Sequence, residues 1–479
     1  MLKRLLLALL ILVLLLVAVI LFNTFRMPSQ QVTTAYQAPL PLADSSISHL
    51  QRAIRYRTVS FDDSTKRDTS QFSQFQRYLR QTYPLVHQRL QLQRINRYTL
   101  LYRWAGKDNA ANPVVLLAHQ DVVPVEASTA AQWQADPFSG TIKNGYIWGR
   151  GTVDDKISVI AILEATERLL QDGFVPPQPI LLVFGHDEEA GGRGAATVAK
   201  LLQQQGVKPA FVLDEGGIIT KEKIPGLKNK PVALIGTAEK GYVTVKLAVN
   251  ITGGHSSMPA RETAIDVVAR AVTKLRENQF EPQFSQAVLD FMQHLGPEMP
   301  FVQRLAFANR WLFAPLIKKT YTASPAGNAI LRTTTAPTII TAGVKENVVP
   351  SAASAIINFR TLPGITSTQV LDHIKQVVND PRIKTGISGI PNEATPVSSA
   401  DHAAYRKIAA TAKSLVPGLI TAPYLMVGAS DARSFTKLTP QVYRLYLLVD
   451  PIGFHGIDER ASLPDYRNMI NFYYRLLRA

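Results

Sequence analysis

Three stretches of this chain share one design, and it limits the possible folds more than any other feature. "NPVVLLAH" (112–119), "PILLVFGHDEE" (179–189) and "PAFVLDEGG" (209–217) are runs of apolar, β-favouring residues that stop abruptly at histidine or carboxylates. Between them, "ISVIAILEATERLLQDG" (157–173) and "RGAATVAKLLQQQG" (193–206) carry a helical period and end on glycine. Unbroken apolar strands alternating with helices predict an α/β fold, with a sheet buried on both faces. Ligands of such sheets bind beyond the carboxyl ends of the strands, so the three charged ends are expected to converge on one crevice.

The flanking sequence divides the remainder. Residues 5–22 are eighteen consecutive apolar residues after Lys3 and Arg4. As a helix this run spans about 27 Å, enough to cross a bilayer. It is long for the core of a cleaved signal peptide, and no clear cleavage site follows. The positive charge ahead of it predicts a single-pass anchor with the body on the outer, periplasmic or extracytoplasmic side; cleavage would make the protein secreted. Residues 23–43 read as a linker, and the body begins near Asp44. The first part of an α/β domain is expected over 44–241 and its second part over 393–479. Between them, 242–392 reads as an inserted α+β domain, because "YVTVKLAVNITGG" and "SAASAIINFRTLPG" alternate like half-exposed strands and "TAIDVVARAVTKLREN" and "STQVLDHIKQVVND" like helices. A helical stretch near 281–330 interrupts that domain.

Composition removes several chemistries. With no cysteine there are no disulfides, no thiolate metal sites and no cysteine nucleophile, so any metal must be held by His, Asp or Glu. The net charge of +16 is spread without basic blocks or interleaved aromatics, which fits a surface beside an anionic bilayer and predicts no nucleic-acid partner. Neither "GRGTVD" nor "GGRGAAT" completes a dinucleotide fingerprint, and neither a P-loop nor a G-x-S-x-G elbow is present.

The charged ends supply the candidates. His119 and Asp121 stand two apart, so both could bind metal, or Asp121 could accept the second ring N–H of His119. Asp154 and Asp155 open a helix, where one carboxylate serves as a cap and the other is spare. Glu188 and Glu189 suit a division of labour in which one ligates metal and the other takes a proton from the attacking water. Asp214, Glu215 and a late histidine, His455, complete a set of two histidines and several carboxylates, as a pair of zinc ions sharing a carboxylate would require.

These motifs resemble one family, the co-catalytic zinc metallopeptidases that include aminoacylase and carboxypeptidase S. "AHQDVVP", "GRGTVDDK", "GHDEEAGG", "DEGG", "GGHSSMP", "GVKENVVPS", "NFRTLPG" and "GFHGIDE" occur in the family's order over 45–479, closest in character to its carboxypeptidase S-like and N-fatty-acyl-amino-acid hydrolase members. The resemblance implies an α/β zinc-hydrolase domain carrying a ferredoxin-like lid or dimerisation domain. It also implies two Zn²⁺ held by His119, Glu215, Glu189 and His455 with Asp154 bridging, Asp214 being the alternative to Glu215. Glu188 would be the general base and Asp121 would orient His119. His255 would stabilise the oxyanion, and Asn347 and Arg360 would bind substrate oxygens or a terminal carboxylate. "GASDAR" matches the family's glycine-rich carboxylate loop, with Ala429 where a second glycine is common. The implied activity is hydrolysis of an amide beside a free carboxylate, in a peptide or an N-acyl amino acid, and a homodimer is compatible with it. The competing reading is a catalytically silent, membrane-tethered scaffold that keeps the fold.

Overall fold

The computed structural model describes residues 1–478. Its centre is a mixed nine-stranded sheet in which the three diagnostic runs are neighbours: Val114–His119 lies between Ile180–Gly185 and Phe211–Asp214, parallel to both. Gln91–Ile95 and Thr99–Trp104 extend one side; Val442–Arg444, Val232–Glu239 and Ile420–Met426 extend the other, with Ile218–Thr220 paired to Val232–Glu239.

Burial on both faces explains the unbroken apolar runs. Val114, Leu116 and Ala118 face a core formed with the helices Lys156–Gln171, Ala403–Lys413 and Leu463–Arg478. Val115 and Leu117 face the opposite core, under the helix Arg193–Gln204. At about 1.5–3 kcal/mol for each fully buried aliphatic side chain, these alternating contacts hold the strand ends rigidly in place. A separate small sheet pairs Thr141–Lys143, Tyr146–Trp148 and Arg460–Ser462. Its hairpin turns at Asn144 and Gly145, both with positive φ (53° and 76°), as a tight two-residue turn requires.

The inserted segment forms an antiparallel sheet in the order Thr334–Ala342, Ala352–Arg360, Val243–Asn250, Lys384–Ile387. One face is closed by the helices Ala264–Glu277 and Ser367–Val378, each begun by a threonine capping box. Strand, helix, two strands, helix, strand with this pairing is the ferredoxin-like arrangement. The interrupting helices behave differently from the rest of 242–392. Val288, Met292, Leu295, Phe307 and Ile317 pack against Val232, Leu234, Ile420 and Ala422, on the edge of the central sheet.

Residues 27–43 form neither helix nor strand, yet they lie against the body. Gln31 brackets Thr421, its amide donating to the Thr421 carbonyl (2.9 Å) and its carbonyl accepting from the Thr421 N–H (2.8 Å). Among the described residues, Leu2–Arg26 is the one helix long and apolar enough to cross a membrane.

Candidate active site

The parallel strands deliver their polar ends to one place. His119 is the last residue of its strand, Glu188 and Glu189 form the first turn after Ile180–Gly185, and Glu215 follows Phe211–Asp214. Asp154 comes from the loop that opens the helix Lys156–Gln171, and His455 from a loop near the C-terminus, where its φ is 55°.

Asp154 is the centre of the arrangement. Its Oδ1 lies 2.9 Å from His119 Nε2 and its Oδ2 lies 2.8 Å from His455 Nε2. Glu189 Oε2 is 3.3 Å from the same His455 nitrogen. Two groups result, His119 with Asp154 and Glu215, and Asp154 with Glu189 and His455; within each, one ligand-type atom per residue lies within 4.8 Å of the others. Glu215 is steadied by Tyr446, whose hydroxyl donates to Oε2 (2.9 Å).

Asp121 has a broader part than the sequence suggests. His119 Nδ1–H donates to the Asp121 main-chain carbonyl at 2.9 Å, while the Asp121 carboxylate stands 3.4 Å away. That carboxylate accepts the backbone N–H groups of Glu188 and Glu189, both at 3.2 Å. One residue therefore fixes the orientation of the His119 ring, turning Nε2 toward Asp154, and the turn carrying both glutamates. Asp214 is differently engaged: its two oxygens accept from the N–H groups of Glu215 (2.9 Å) and Ala432 (2.8 Å). Asp155 is the helix N-cap residue but makes no side-chain cap bond; its Oδ2 accepts from the His119 N–H at 3.3 Å.

Crowding of buried charge sets the electrostatics. Burial, with repulsion from neighbouring carboxylates, pushes Glu188 and Glu215 well above the ordinary carboxylate range. Burial disfavours the charged form of His119, yet Asp121 and Asp154 outweigh it and hold its pKa well above normal. Hydrogen bonds to Asp154 and Glu189 raise His455 to about 10. Burial alone would raise Asp154, but the two histidines hold it below its usual value. In addition, Glu189 Oε1 is buried without a partner. Nitrogen and oxygen donors, a shared carboxylate and an orphaned carboxylate oxygen together fit a pair of divalent cations, which would relieve the repulsion.

Several further contributors have no role assigned from the sequence. Asp431, in "GASDAR", lies against Gly185 and Gly192, where a Cβ at either glycine would overlap its carboxylate. Burial and Asp214 push its pKa well up. Glu459 accepts through Oε1 from the N–H groups of Gly151 (2.9 Å), Val153 (2.8 Å) and Asp154 (3.2 Å), and through Oε2 from Arg150 Nη1 (2.6 Å). Arg150 Nη2 in turn donates to the Gly456 carbonyl at 3.0 Å, so this buried pair ties the Asp154 loop to the His455 loop. Glu459 sits in the "GFHGIDE" motif and Asp431 in "GASDAR", whereas no local signal marks Tyr446.

The expected substrate residues are divided. Arg360 ends its strand at the seam between the two domains, with its guanidinium 4.5 Å from the Tyr242 ring centroid, half-buried, and Arg433 is a repelling cation nearby. His255 and Asn347 meet each other at the exposed tip of the inserted domain, where the Ser256 N–H donates to the Asn347 carbonyl (3.2 Å) and His255 Nδ1 lies 2.8 Å from Ser257 Oγ. Among the described residues, no hydrogen bond or ion pair joins either of them to the Asp154 cluster.

Comparison with known proteins points to one family. The family model described as peptidase family M20/M25/M40 matches residues 115–479. A probable carboxypeptidase S-like 2 of Dictyostelium discoideum is 40% identical over 477 residues, covering 96% of this chain and 91% of that protein. The human N-fatty-acyl-amino acid synthase/hydrolase PM20D1 is 40% identical over 439 residues, covering 90% and 86%. Among solved structures, the M20 family metallo-carboxypeptidase Sso-CP2 of Sulfolobus solfataricus shares the fold with a TM-score of 0.68 at 17% identity, over 91% and 99% of the two chains.

Proposed function

The chain belongs to peptidase family M20/M25/M40 and is a hydrolase of amide bonds; from that membership we propose a two-zinc enzyme that cleaves the amide next to a free carboxylate, in a dipeptide or an N-acyl amino acid. The observation carrying this reading is the Asp154 carboxylate, reached by His119 on one oxygen and His455 on the other, beside Glu188. His119, Asp154 and Glu215 would hold one ion, and Asp154, Glu189 and His455 the other. Bound there, the ions would polarise the scissile carbonyl and make water more acidic.

The chain's own groups do the rest. Glu188, whose carboxyl is pushed up by burial, takes a proton from the attacking water and returns it to the departing amine. Asp121 keeps His119 and the Glu188 turn in register. Arg360 presents the fork that matches the substrate carboxylate. His255 and Asn347 donate to the carbonyl oxygen once the inserted domain of a second copy, or closure of its own, carries the tip to the cluster; the exposed strand Thr334–Ala342 is a suitable edge for a homodimer. The helix Leu2–Arg26 serves as an uncleaved anchor, with the body on the outer side. A silent scaffold is not favoured, since the donor positions are all filled.

Glu188→Gln tests the reading. It should abolish release of the amine from a panel of dipeptides and N-acyl amino acids while elemental analysis still finds two zinc ions per chain. Full activity in that variant would sink the assignment, and comparison of the panel in the wild type selects the substrate class.

A further inference from the structure

The N-terminal helix does not lead freely away from the body. Its last turns dock where the short helix Phe301–Ala308 meets Arg310–Thr322. Asn309 Nδ2 donates to the Ile20 carbonyl (3.0 Å) and Thr24 Oγ1 (3.2 Å), and Asn23 Nδ2 donates to Asn309 Oδ1 (3.0 Å). Arg304 Nη2 donates to the Met27 carbonyl (3.0 Å), and the Phe25 and Phe301 rings lie 6.1 Å apart. The apolar run ends at Phe22, so a contact at Ile20 sets Asn309 about 3 Å inside the end of that run. Whatever surrounds residues 5–22 also reaches this helix junction.

The two junction helices are apolar on both sides. Inward, Phe307 and Ile317 are buried in the core against the central sheet. Outward, Phe301, Val302, Trp311, Leu312 and Leu316 are 49%, 73%, 60%, 39% and 57% exposed. A helix that is apolar all round is normally covered, yet Phe301 is still 49% exposed beside Phe25, and Val302, Trp311, Leu312 and Leu316 stay exposed among the described residues. In sequence, Arg26, Arg304, Arg310, Lys318 and Lys319 flank these residues. A tryptophan among aliphatic residues, bordered by cations, matches the composition of segments that lie in the headgroup region of an anionic bilayer.

We propose that the outer face of Phe301–Ala308 and Arg310–Thr322 is a second membrane contact, which lies in the bilayer interface beside the anchor and holds the body in one orientation. The proposal rests on the reading of Leu2–Arg26 as a membrane span, and the test separates the two. Full-length protein is placed in nanodiscs of phosphatidylcholine and phosphatidylglycerol, with plain or brominated acyl chains. Of the four tryptophans, Trp104, Trp133 and Trp148 are buried, so the difference between wild type and Trp311→Phe isolates Trp311 emission. Because the chain has no cysteine, Leu12→Cys labelled with bimane reports separately on the anchor. The expected result is loss of both signals in brominated lipid. A quenched bimane with Trp311 untouched by bromine and open to aqueous iodide overturns the second contact alone. Trp311 shielded from both quenchers means that a protein covers this face, and also overturns it. An unquenched bimane overturns the anchor reading and the proposal with it.

Discussion

Glu459→Gln should loosen the candidate site without replacing any proposed ligand. Glu459 and Arg150 are both buried, and the glutamate oxygens receive three backbone N–H groups and a guanidinium. Glutamine keeps the shape but must turn an NH₂ either toward Arg150 or toward the amides of Gly151, Val153 and Asp154. In both orientations donors face donors, and Arg150 is left as an uncompensated buried cation. Removing one partner of such a pair costs about 3–5 kcal/mol, a large share of the 5–15 kcal/mol typical of a whole domain. Burial pushes Glu459 up to about 7, so the comparison belongs at pH 8, where it is ionised. Urea unfolding followed by circular dichroism reads the stability. A chelator-competition titration reads zinc affinity, which should fall about 10- to 100-fold as Asp154 and His455 lose their common tie. Adding Arg150→Met should recover part of the lost stability, because it removes the orphaned charge. Unchanged stability and zinc affinity in Glu459→Gln would refute the idea that this pair fastens the two loops.

Three further outcomes follow from the same structure. Burial, reinforced by Arg360, pushes the Lys240 amine down to about 7, although it donates to the Ala329 and Arg332 carbonyls. Since the unfolded chain binds the extra proton between about 7 and 10.5, stability should rise with pH across that window, by up to about 1.4 kcal/mol per unit, and Lys240→Met should flatten the rise in denaturant melts. Arg360→Ala should raise KM about 10- to 100-fold for substrates with a free carboxylate and leave amidated analogues unaffected; equal effects on both would remove Arg360 from carboxylate recognition. Gly185→Ala should destabilise by about 1–3 kcal/mol, because its Cβ would overlap the Asp431 carboxylate, and a melting temperature equal to wild type would contradict that packing.

The sequence carries the framework of this site because continuous apolar runs mark strands buried on both faces, and parallel neighbours must end on the same side. The pairing of 114–119 with 180–185 and 211–214 meets that expectation. Adjacent carboxylates are harder to separate, since Asp214 and Glu215 are alike in type and differ in where the backbone points them. Asp214, the last strand residue, is taken up by main-chain amides, and the next residue reaches His119 and Asp154. The rule that residues two apart share a face lapses at Asp121 because the strand ends at His119, so the main-chain carbonyl comes nearest the ring. Asp431 and Tyr446 arrive from more than two hundred residues away, and only the fold makes them neighbours of Gly185 and Glu215.

That division has a physical basis which bears on how the site works. Groups proposed to meet the ions stand at strand ends and loop starts, where a reversal of polarity is written into the sequence. Groups that hold them still, such as Asp121 through the amides of Glu188 and Glu189 and Glu459 through three amides, act on the backbone, and backbone contacts place few demands on the surrounding residue types. With no cation bound, the crowding of Asp154, Glu188 and Glu215 is met by proton uptake on the two glutamates and by the histidines on either side of Asp154, so the loops depend on backbone restraints to keep their ligand geometry. The ties therefore matter for keeping the loops assembled ahead of metal uptake as well as for affinity. On that logic the zinc-free form of Glu459→Gln should lose amide protection in the Asp154 and His455 loops first, while the strand 114–119 stays protected; uniform loss throughout the sheet in hydrogen exchange would place the restraint elsewhere.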